Sequence, residues 1–360
     1  MGKMTRIDIQ LIKSQENQLA LGAGFVALDI VEGREQRFAA AGGSCGNVMA
    51  ILSWLGWNSA PISRLGQDPA HEFIVDEFNS VGVKLDYLLS DSSVSTPIVI
   101  QKFVESKDGV RSHRFSLACP DCRGWLPRFR PMTIKQATPL LESNLKPKCF
   151  YFDRVTPSAL KLAAWAKEQG ALIMFEPASV NDERSFQRAV DLCHILKYSD
   201  ERLGHLKDLE ETQHPKVIIK TQGEDGLAMR WRNRWSSLEA FDAPLFEDAA
   251  GSGDWCSAGI LHTLGGKGVE IFDEMNKSDL ERAVRLGQGL AALNCSFEGA
   301  RGMMEFMDIK TVNKALRSLT KSERNVGWTI DGKEHRVFPE QLCDLCVEPN
   351  SKIKKSIEAA

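Results

Sequence analysis

The 360-residue sequence has no apolar run near the roughly eighteen residues a membrane-spanning helix needs; its best stretch, Leu19 to Val31, is broken by Asp29. No membrane partner is expected. The opening Met1-Gly2-Lys3-Met4-Thr5-Arg6 lacks the apolar stretch of a secretion signal, and Arg6 stands where myristoylation needs Ser or Thr. A cytoplasmic location is the expectation. Neither sign of charge dominates: 45 basic side chains face 48 acidic ones, a net charge of −3, which argues against nucleic acid as the main partner. No G-x-x-x-x-G-K-[ST] is present; Gly265-Gly266-Lys267-Gly268 lacks both spacing and hydroxyl, so a P-loop is excluded. The seven histidines form no H-x-x-x-H or H-E-x-x-H group, which speaks against catalytic zinc. Repeats and low-complexity segments are missing, and 43% hydrophobic with 26% charged residues excludes disordered, collagenous and coiled-coil classes for the bulk of the chain.

What is there alternates short β-like runs with helical periods. Residues 1–18 read as a polar extension. Leu19-Ala20-Leu21 and Phe25-Val26-Ala27-Leu28 read as strand, and Val48, Met49, Leu52 and Leu55 mark a helix over 46–55. A helix over 157–169 stops at Gly170, before a buried strand at 171–175. Val190 to Leu196 and Val217-Ile218-Ile219 are further strand candidates with a polar helix between them. This pattern predicts an α/β fold, a doubly wound, mostly parallel sheet with helices on both faces. Ile98 to Val104 and Arg111 to Leu117 flank Lys107-Asp108-Gly109, a hairpin signal that predicts a small β lid over a site. Trp231 and Trp235 amid Arg230, Arg232 and Arg234 read as a strand-loop-strand edge with one solvated face. From about 325 to 360 the chain is a short tail whose Lys352, Lys354 and Lys355 read as a solvated helix end.

Gly22-Ala23-Gly24-Phe25-Val26-Ala27 fits G-x-G-x-x-A, but β-prone residues follow where a dinucleotide site needs a helix N-terminus, so the match loses its physical meaning. Asp248-Ala249-Ala250-Gly251-Ser252-Gly253-Asp254 runs into the apolar stretch Ile260 to Leu264. Glycines around a small residue let successive N–H groups converge at a helix start, a setting for a phosphate. Asp254 would repel that phosphate unless it takes a proton from an attacking hydroxyl; spacing alone leaves it equally a first-turn helix residue. A second glycine turn, Ala41-Gly42-Gly43-Ser44-Cys45-Gly46-Asn47, enters the helix ending at Leu55-Gly56, with Leu65-Gly66-Gln67-Asp68 beyond.

Together the two segments resemble the signature regions of the ribokinase/PfkB sugar-kinase family, the first as G-G-x-x-x-N followed by L-G and G-x-D, the second as D-T-x-G-A-G-D. The likeness runs from about Leu19 to Met307 and includes Lys220-Thr221-Gln222-Gly223, resembling the family's T-x-G strand end, and Glu298-Gly299-Ala300. It implies one ribokinase-like domain over 19–324 with lid segments near 30–42 and 96–125, and a kinase that uses ATP and Mg²⁺ to phosphorylate a hydroxymethyl group of a sugar or nucleoside. Carried over by position, Asp254 is the general base, and the amides of Gly251, Ser252 and Gly253 form the anion hole. Asp29, Gly42, Gly43 and Asn47 hold the substrate, and Thr221, Gly223 and Ser199 the nucleotide. Lid-to-lid homodimers are also implied. Three positions depart from the pattern. Ala249-Ala250 replace hydroxyl-bearing residues, which questions a monovalent-cation site. Glu176-Pro177 replaces Asp-Pro. Ser199-Asp200-Glu201-Arg202 stands for N-x-x-E, with the charge at its fourth position reversed. That reversal motivates the alternative of a weakened homologue that binds sugar or nucleotide and acts through a partner.

Of nine cysteines, Cys45, Cys149, Cys193, Cys256 and Cys295 stand singly among apolar neighbours and read as buried free thiols. Cys119/Cys122 and Cys343/Cys346 are C-x-x-C pairs. One reading is surface thiols near turns. The other is a structural zinc held by all four, with the tail folded back onto the lid.

Overall fold

A computed structural model describes residues 9–14, 18–33, 36–105, 111–204, 214–321, 336–338 and 341–347. In chain order the strands are β1 (Leu19–Ala23), β2 (Ala27–Glu32), β3 (Arg37–Gly42), β4 (Asn58–Leu65), β5 (Leu88–Ser90), β6 (Ile98–Glu105), β7 (Arg111–Ser116), β8 (Cys149–Phe152), β9 (Leu172–Phe175), β10 (Ile195–Ser199), β11 (Val217–Thr221), β12 (Leu227–Trp231) and β13 (Arg234–Leu238). Nine of them form one sheet in the order β13-β12-β11-β10-β9-β8-β1-β4-β5. From β5 to β11 all neighbours are parallel; β12 and β13 close the edge as an antiparallel hairpin. The central strands read CFYF and LIMF and are buried throughout, as strands covered on both faces must be.

The helices are α1 (Ser44–Trp54), α2 (Pro69–Ser80), α3 (Ile134–Leu141), α4 (Pro157–Glu168), α5 (Glu183–Leu192), α6 (Asp200–Leu203), α7 (Ser252–Leu264), α8 (Ile271–Glu274), α9 (Lys277–Asn294), α10 (Gly302–Phe306) and α11 (Ile309–Thr320). Side chains from α1, α7, α9 and α11 build the core on one face of the sheet, those of α3, α4 and α5 the core on the other. The doubly wound α/β fold read from the sequence is therefore the fold observed. The remaining strands form a four-stranded lid sheet, β3-β2-β6-β7, whose core is shared with α2. The tip of the β6–β7 hairpin at 107–109, and Lys352 to Lys355, lie outside the described residues.

Three local readings change. Val190 to Leu192 belong to α5, not to a strand: Asp182 caps the helix, and Phe186, Ala189 and Val190 make its buried stripe at helical spacing. Phe25 and Val26 lie between strands, because the Phe25 N–H turns to the Asp153 carboxylate (2.9 Å) as the chain leaves β1 for the lid. Residues 9–14, read as part of a polar extension, pack on the domain. Ile9 and Leu11 are buried, and Asn313 of α11 bonds both backbone groups of Leu11, at 2.7 and 2.8 Å. The Trp231–Trp235 segment is the β12–β13 hairpin, with Arg232 and Asn233 at positive φ in its turn and β13 largely exposed. The five single cysteines are buried free thiols. Among the described residues no helix is long and apolar enough to cross a membrane.

Candidate active site

The loop into α7 is built by one carboxylate and one glycine. Asp248 is buried; it accepts N–H bonds from Ala250 (2.9 Å) and Gly299 (3.0 Å) and the side-chain amide of Gln101 from β6 (2.6 Å). The turn is thereby fixed to the 298–300 segment and to the lid. Gly251 sits at φ +71°, and a Cβ there would lie 2.2 Å from the Ala300 carbonyl oxygen, so only glycine fits. Helix α7 begins at Ser252 with no side chain capping it, and its first turn carries a single acid, Asp254. The Ser252 N–H is drawn to the Ala249 carbonyl (3.2 Å), so within this turn it is the least available of the three amides for an outside anion.

Asp254 joins the second glycine turn. Its Oδ2 accepts a bond from Asn47 Nδ2 (2.8 Å), 207 residues away on α1. Asn47 is buried, and its Oδ1 has no hydrogen-bond partner, an orphaned acceptor of the kind proteins avoid outside functional sites. Burial pushes the Asp254 carboxyl up to about 7; the negative charge of Glu176 adds to this, and Asn47 and Lys197 oppose it. The Asn47 N–H in turn donates to Gly43 O (2.8 Å). Asp29, on β2, accepts the Gly43 N–H, and its carboxyl is likewise raised to about 7, by burial first, with Arg301 pulling the other way. A Cβ on Gly42 would fall 1.9 Å from Asp29 Oδ2, so the glycine lets the carboxylate close onto the backbone. Asp29, Gly42, Gly43, Asn47 and Asp254 thus form one connected group.

Three charged residues that sequence reasoning missed, Arg301, Glu77 and Lys197, brace this group. Arg301 is buried and bonds both the Ala41 carbonyl and Glu77 of α2, while Glu77 accepts the Ala41 N–H (2.7 Å). Beneath α7, Lys197 of β10 is 1% exposed. It donates to Glu176 and to the Gly253 carbonyl (3.1 Å), and Glu176 also accepts from Ser257 and from Tyr151 (3.2 Å). Glu176 follows β9 and Asp153 follows β8, both at carboxyl ends of parallel strands, where ligands bind in open α/β sheets.

Ser199 and Thr221 end the next two strands and are register partners; Thr221 Oγ1 donates to the Tyr198 carbonyl (3.3 Å). Gly223 begins the following turn at φ +61° with open space beside it. Asp200, not Glu201, is the acid held at this edge, by Lys220 (3.7 Å) and Gln222 (3.4 Å), whereas Glu201 and Arg202 are exposed. The four C-x-x-C cysteines gather elsewhere, between the lid and the C-terminal segment.

The sequence matches the model of the pfkB family carbohydrate kinase over residues 24–307. The chain belongs to that family. Among relatives it is 23% identical to an ATP-dependent ribose-1-phosphate kinase of Halopiger xanaduensis over 287 residues, covering 74% of this chain and 84% of that one. It is also 23% identical to a fructokinase of Klebsiella pneumoniae over 307 residues, covering 79% and 95%. Its fold is shared by the solved fructokinase with bound ATP from Xylella fastidiosa (TM-score 0.65, 17% identity, 85% of this chain and 98% of that one). A Burkholderia thailandensis nucleoside kinase in complex with inosine is similar at TM-score 0.61 and 16% identity, covering 83% and 96%.

Proposed function

We propose that this pfkB-family chain transfers the terminal phosphoryl group of ATP to a hydroxymethyl group of a sugar or nucleoside, with Asp254 as general base. The observation that carries the reading is the Asn47–Asp254 pair. A carboxylate with its affinity for protons raised to about 7 stands in the first turn of an uncapped helix, beside an orphaned amide oxygen suited to a substrate hydroxyl. The substrate O–H proton passes to Asp254 as its oxygen bonds the phosphorus, and the bond to the ADP oxygen breaks. The amides of Gly251 and Gly253, with Ser252 contributing once its weak internal bond yields, face the charge on the transferring group. Asp29, Gly42, Gly43 and Asn47 hold the substrate; Ser199, Thr221 and Gly223 border the nucleotide.

Mg²⁺ retains most of its waters and takes one or two carboxylates beside phosphate oxygens. The acids at the strand ends are already engaged, Glu176 by Lys197, Ser257 and Tyr151 and Asp200 by Lys220 and Gln222, which suits an ion reached through water. When bound it neutralises charge on the phosphates.

A panel of sugars and nucleosides assayed for ATP turnover, with Asp254→Asn as the control, tests the reading; no turnover that depends on Asp254 would overturn it. Retained nucleotide binding in that event would favour a binding protein acting through a partner, the alternative that exposed Arg202 supports. Two further results are expected. A base must be deprotonated to act, so kcat/KM rises with pH up to about 7 and levels above it. Asp29 titrates in the same range, so the limb has a slope between one and two, falling to one in Asp29→Asn. A slope already at one in the parent chain would remove Asp29 from that limb. Second, with Asp248 filled by three N–H donors and Ala249-Ala250 lacking hydroxyls, rates in K⁺, Na⁺ and choline media agree within about twofold. A K⁺ activation beyond about tenfold would contradict this.

A further inference from the structure

Four cysteines that phosphoryl transfer leaves unused cluster between the lid and the C-terminal segment. Cys119 and Cys122 lie in the loop after β7. Cys343 and Cys346 lie on a single 3₁₀ turn, Leu342–Leu345, and the residue just after it. Across 224 residues, Cys119 Sγ comes within 4.0 Å of Cys343 Sγ, and Cys122 Sγ within 3.5 Å of Cys346 Sγ. The sulfurs of Cys119, Cys122 and Cys343 all lie within 4.8 Å of one another. A disulfide would place two of them about 2.05 Å apart. Four thiolates around a tetrahedral zinc, each about 2.3 Å from the metal, sit about 3.8 Å from one another. The two cross-segment distances lie on either side of that value.

The backbone around the first pair is shaped for sulfur. Arg123 N–H donates to Cys119 O (3.0 Å) and Cys119 N–H to Gly124 O (2.8 Å), closing a tight turn. Arg123 takes the left-handed conformation at φ 60°. This directs the Gly124 N–H at Cys122 Sγ (3.4 Å), an outer hydrogen bond that stabilises negative charge on a ligand sulfur. Around the second pair the Cys346 N–H closes a turn on Cys343 O (3.4 Å), and Cys346 Sγ lies 3.5 Å from Leu342 O. Packing alone asks for none of this, since a buried thiol serving as a small apolar group needs no amide aimed at it.

We infer that Cys119, Cys122, Cys343 and Cys346 form a structural zinc site that fastens the C-terminal segment to the lid. The segment's backbone touches the domain through Arg336 O, which accepts the N–H of Ala39 on the lid's edge strand β3 (2.9 Å), and through Val347 N–H on Trp125 O (2.9 Å). Among its described residues Leu342 and Cys343 are buried, and Phe338 and Leu345 are partly buried against the lid core, with Phe338 edge-on to Phe73 of α2 (5.8 Å). Between the segment and the lid lies a cavity of about 380 Å³, bordered by Arg37, Phe38 and Asp121 on one side and Phe338 and Leu342 on the other. Ligation converts the thiols to thiolates, so each zinc bound displaces up to four protons to solvent.

Metal analysis of the full-length chain, purified under reducing conditions without chelators, tests the site. About one zinc per chain is expected, released as four thiols react with a mercurial, and Co²⁺ in its place gives the strong visible bands of a tetrahedral thiolate complex. Full-length Cys343→Ser/Cys346→Ser falls below about a tenth of a zinc per chain, while Cys193→Ser keeps its zinc; trypsin releases the C-terminal segment at least about tenfold faster from the double variant. Less than about a tenth of a zinc in the parent chain, or two disulfides among these four cysteines, overturns the inference. Parent metal content and mercurial titration decide the matter even where the double variant does not fold. Neither depends on a phosphotransfer substrate.

Discussion

Asp254→Asn lowers kcat by about 10²–10⁴-fold and at the same time makes the protein more stable at neutral and alkaline pH. Both effects have one cause. The folded chain holds this carboxyl at about 7 instead of 3.8, chiefly because burial disfavours its charge. For an acid raised on folding, the folded state binds the proton more tightly than the unfolded state. Stability is therefore highest below the unfolded value and is lost as pH rises towards the folded one. Above about pH 7 the ionised carboxylate is carried at a cost, and an isosteric amide removes it. The gain expected at pH 8 is about 1–3 kcal/mol, since each shifted unit corresponds to about 1.4 kcal/mol and the group faces the cleft. Urea unfolding at pH 8 and at pH 4–5, beside steady-state rates, checks the pair: the advantage of the variant shrinks at the lower pH. A variant within tenfold of the parent in kcat would remove Asp254 from the role of base. One that is less stable at pH 8 would mean that the Asn47 bond outweighs the burial.

Much of this arrangement was legible in the residues, and what was not shares a physical reason. The strands of the sheet centre announce themselves as short apolar runs, and the two glycine turns mark where backbone must come close to something. The strand β4, Asn58–Leu65, goes unread because its polar positions are not at the surface. Ser59 and Ser63 are buried, donating to Met49 O (2.6 Å) and Gly24 O (2.9 Å), so the expected apolar run is interrupted. The same holds for charge. Arg301, Glu77, Lys197 and the Gln101–Asp248 bond are invisible to spacing because each is a pairing across the fold, with Gln101 and Asp248 separated by 147 residues. A sequence displays periodicity and local motifs; which buried charge meets which is decided only when helices and lid are docked. At Ser199–Arg202, too, the contacts across the fold differ from the sequence pattern. The acid held there is Asp200, by Lys220 of β11 and by Gln222 just after it.

Lys197→Met is expected to destabilise the chain by about 3–5 kcal/mol, the range for removing one partner of a buried ion pair. The lysine is fully enclosed, and Glu176, left behind, keeps only the hydroxyls of Ser257 and Tyr151 to answer its charge. Burial lowers the lysine's affinity for its proton, but the charge and hydrogen bond of Glu176, with Cys256 and Asp254, together more than offset it, so Lys197 stays cationic, its affinity raised above the ordinary lysine value. Its loss reaches the reaction by two routes. The Gly253 carbonyl loses its donor (3.1 Å), which loosens the glycine turn proposed to receive the phosphoryl group. Asp254 also loses one of the two groups that hold its proton affinity down, so the rising limb of the pH–rate profile moves to higher pH. The double variant Lys197→Met/Glu176→Gln separates structure from chemistry. With both charges gone most of the stability returns. The pH limb then moves back as well, because Glu176 raises Asp254 more than Lys197 lowers it. Urea unfolding and pH–rate profiles on the three proteins measure both. A single variant costing less than about 1 kcal/mol, or a double variant no more stable than the single, would show that this pair is not the support beneath the glycine turn.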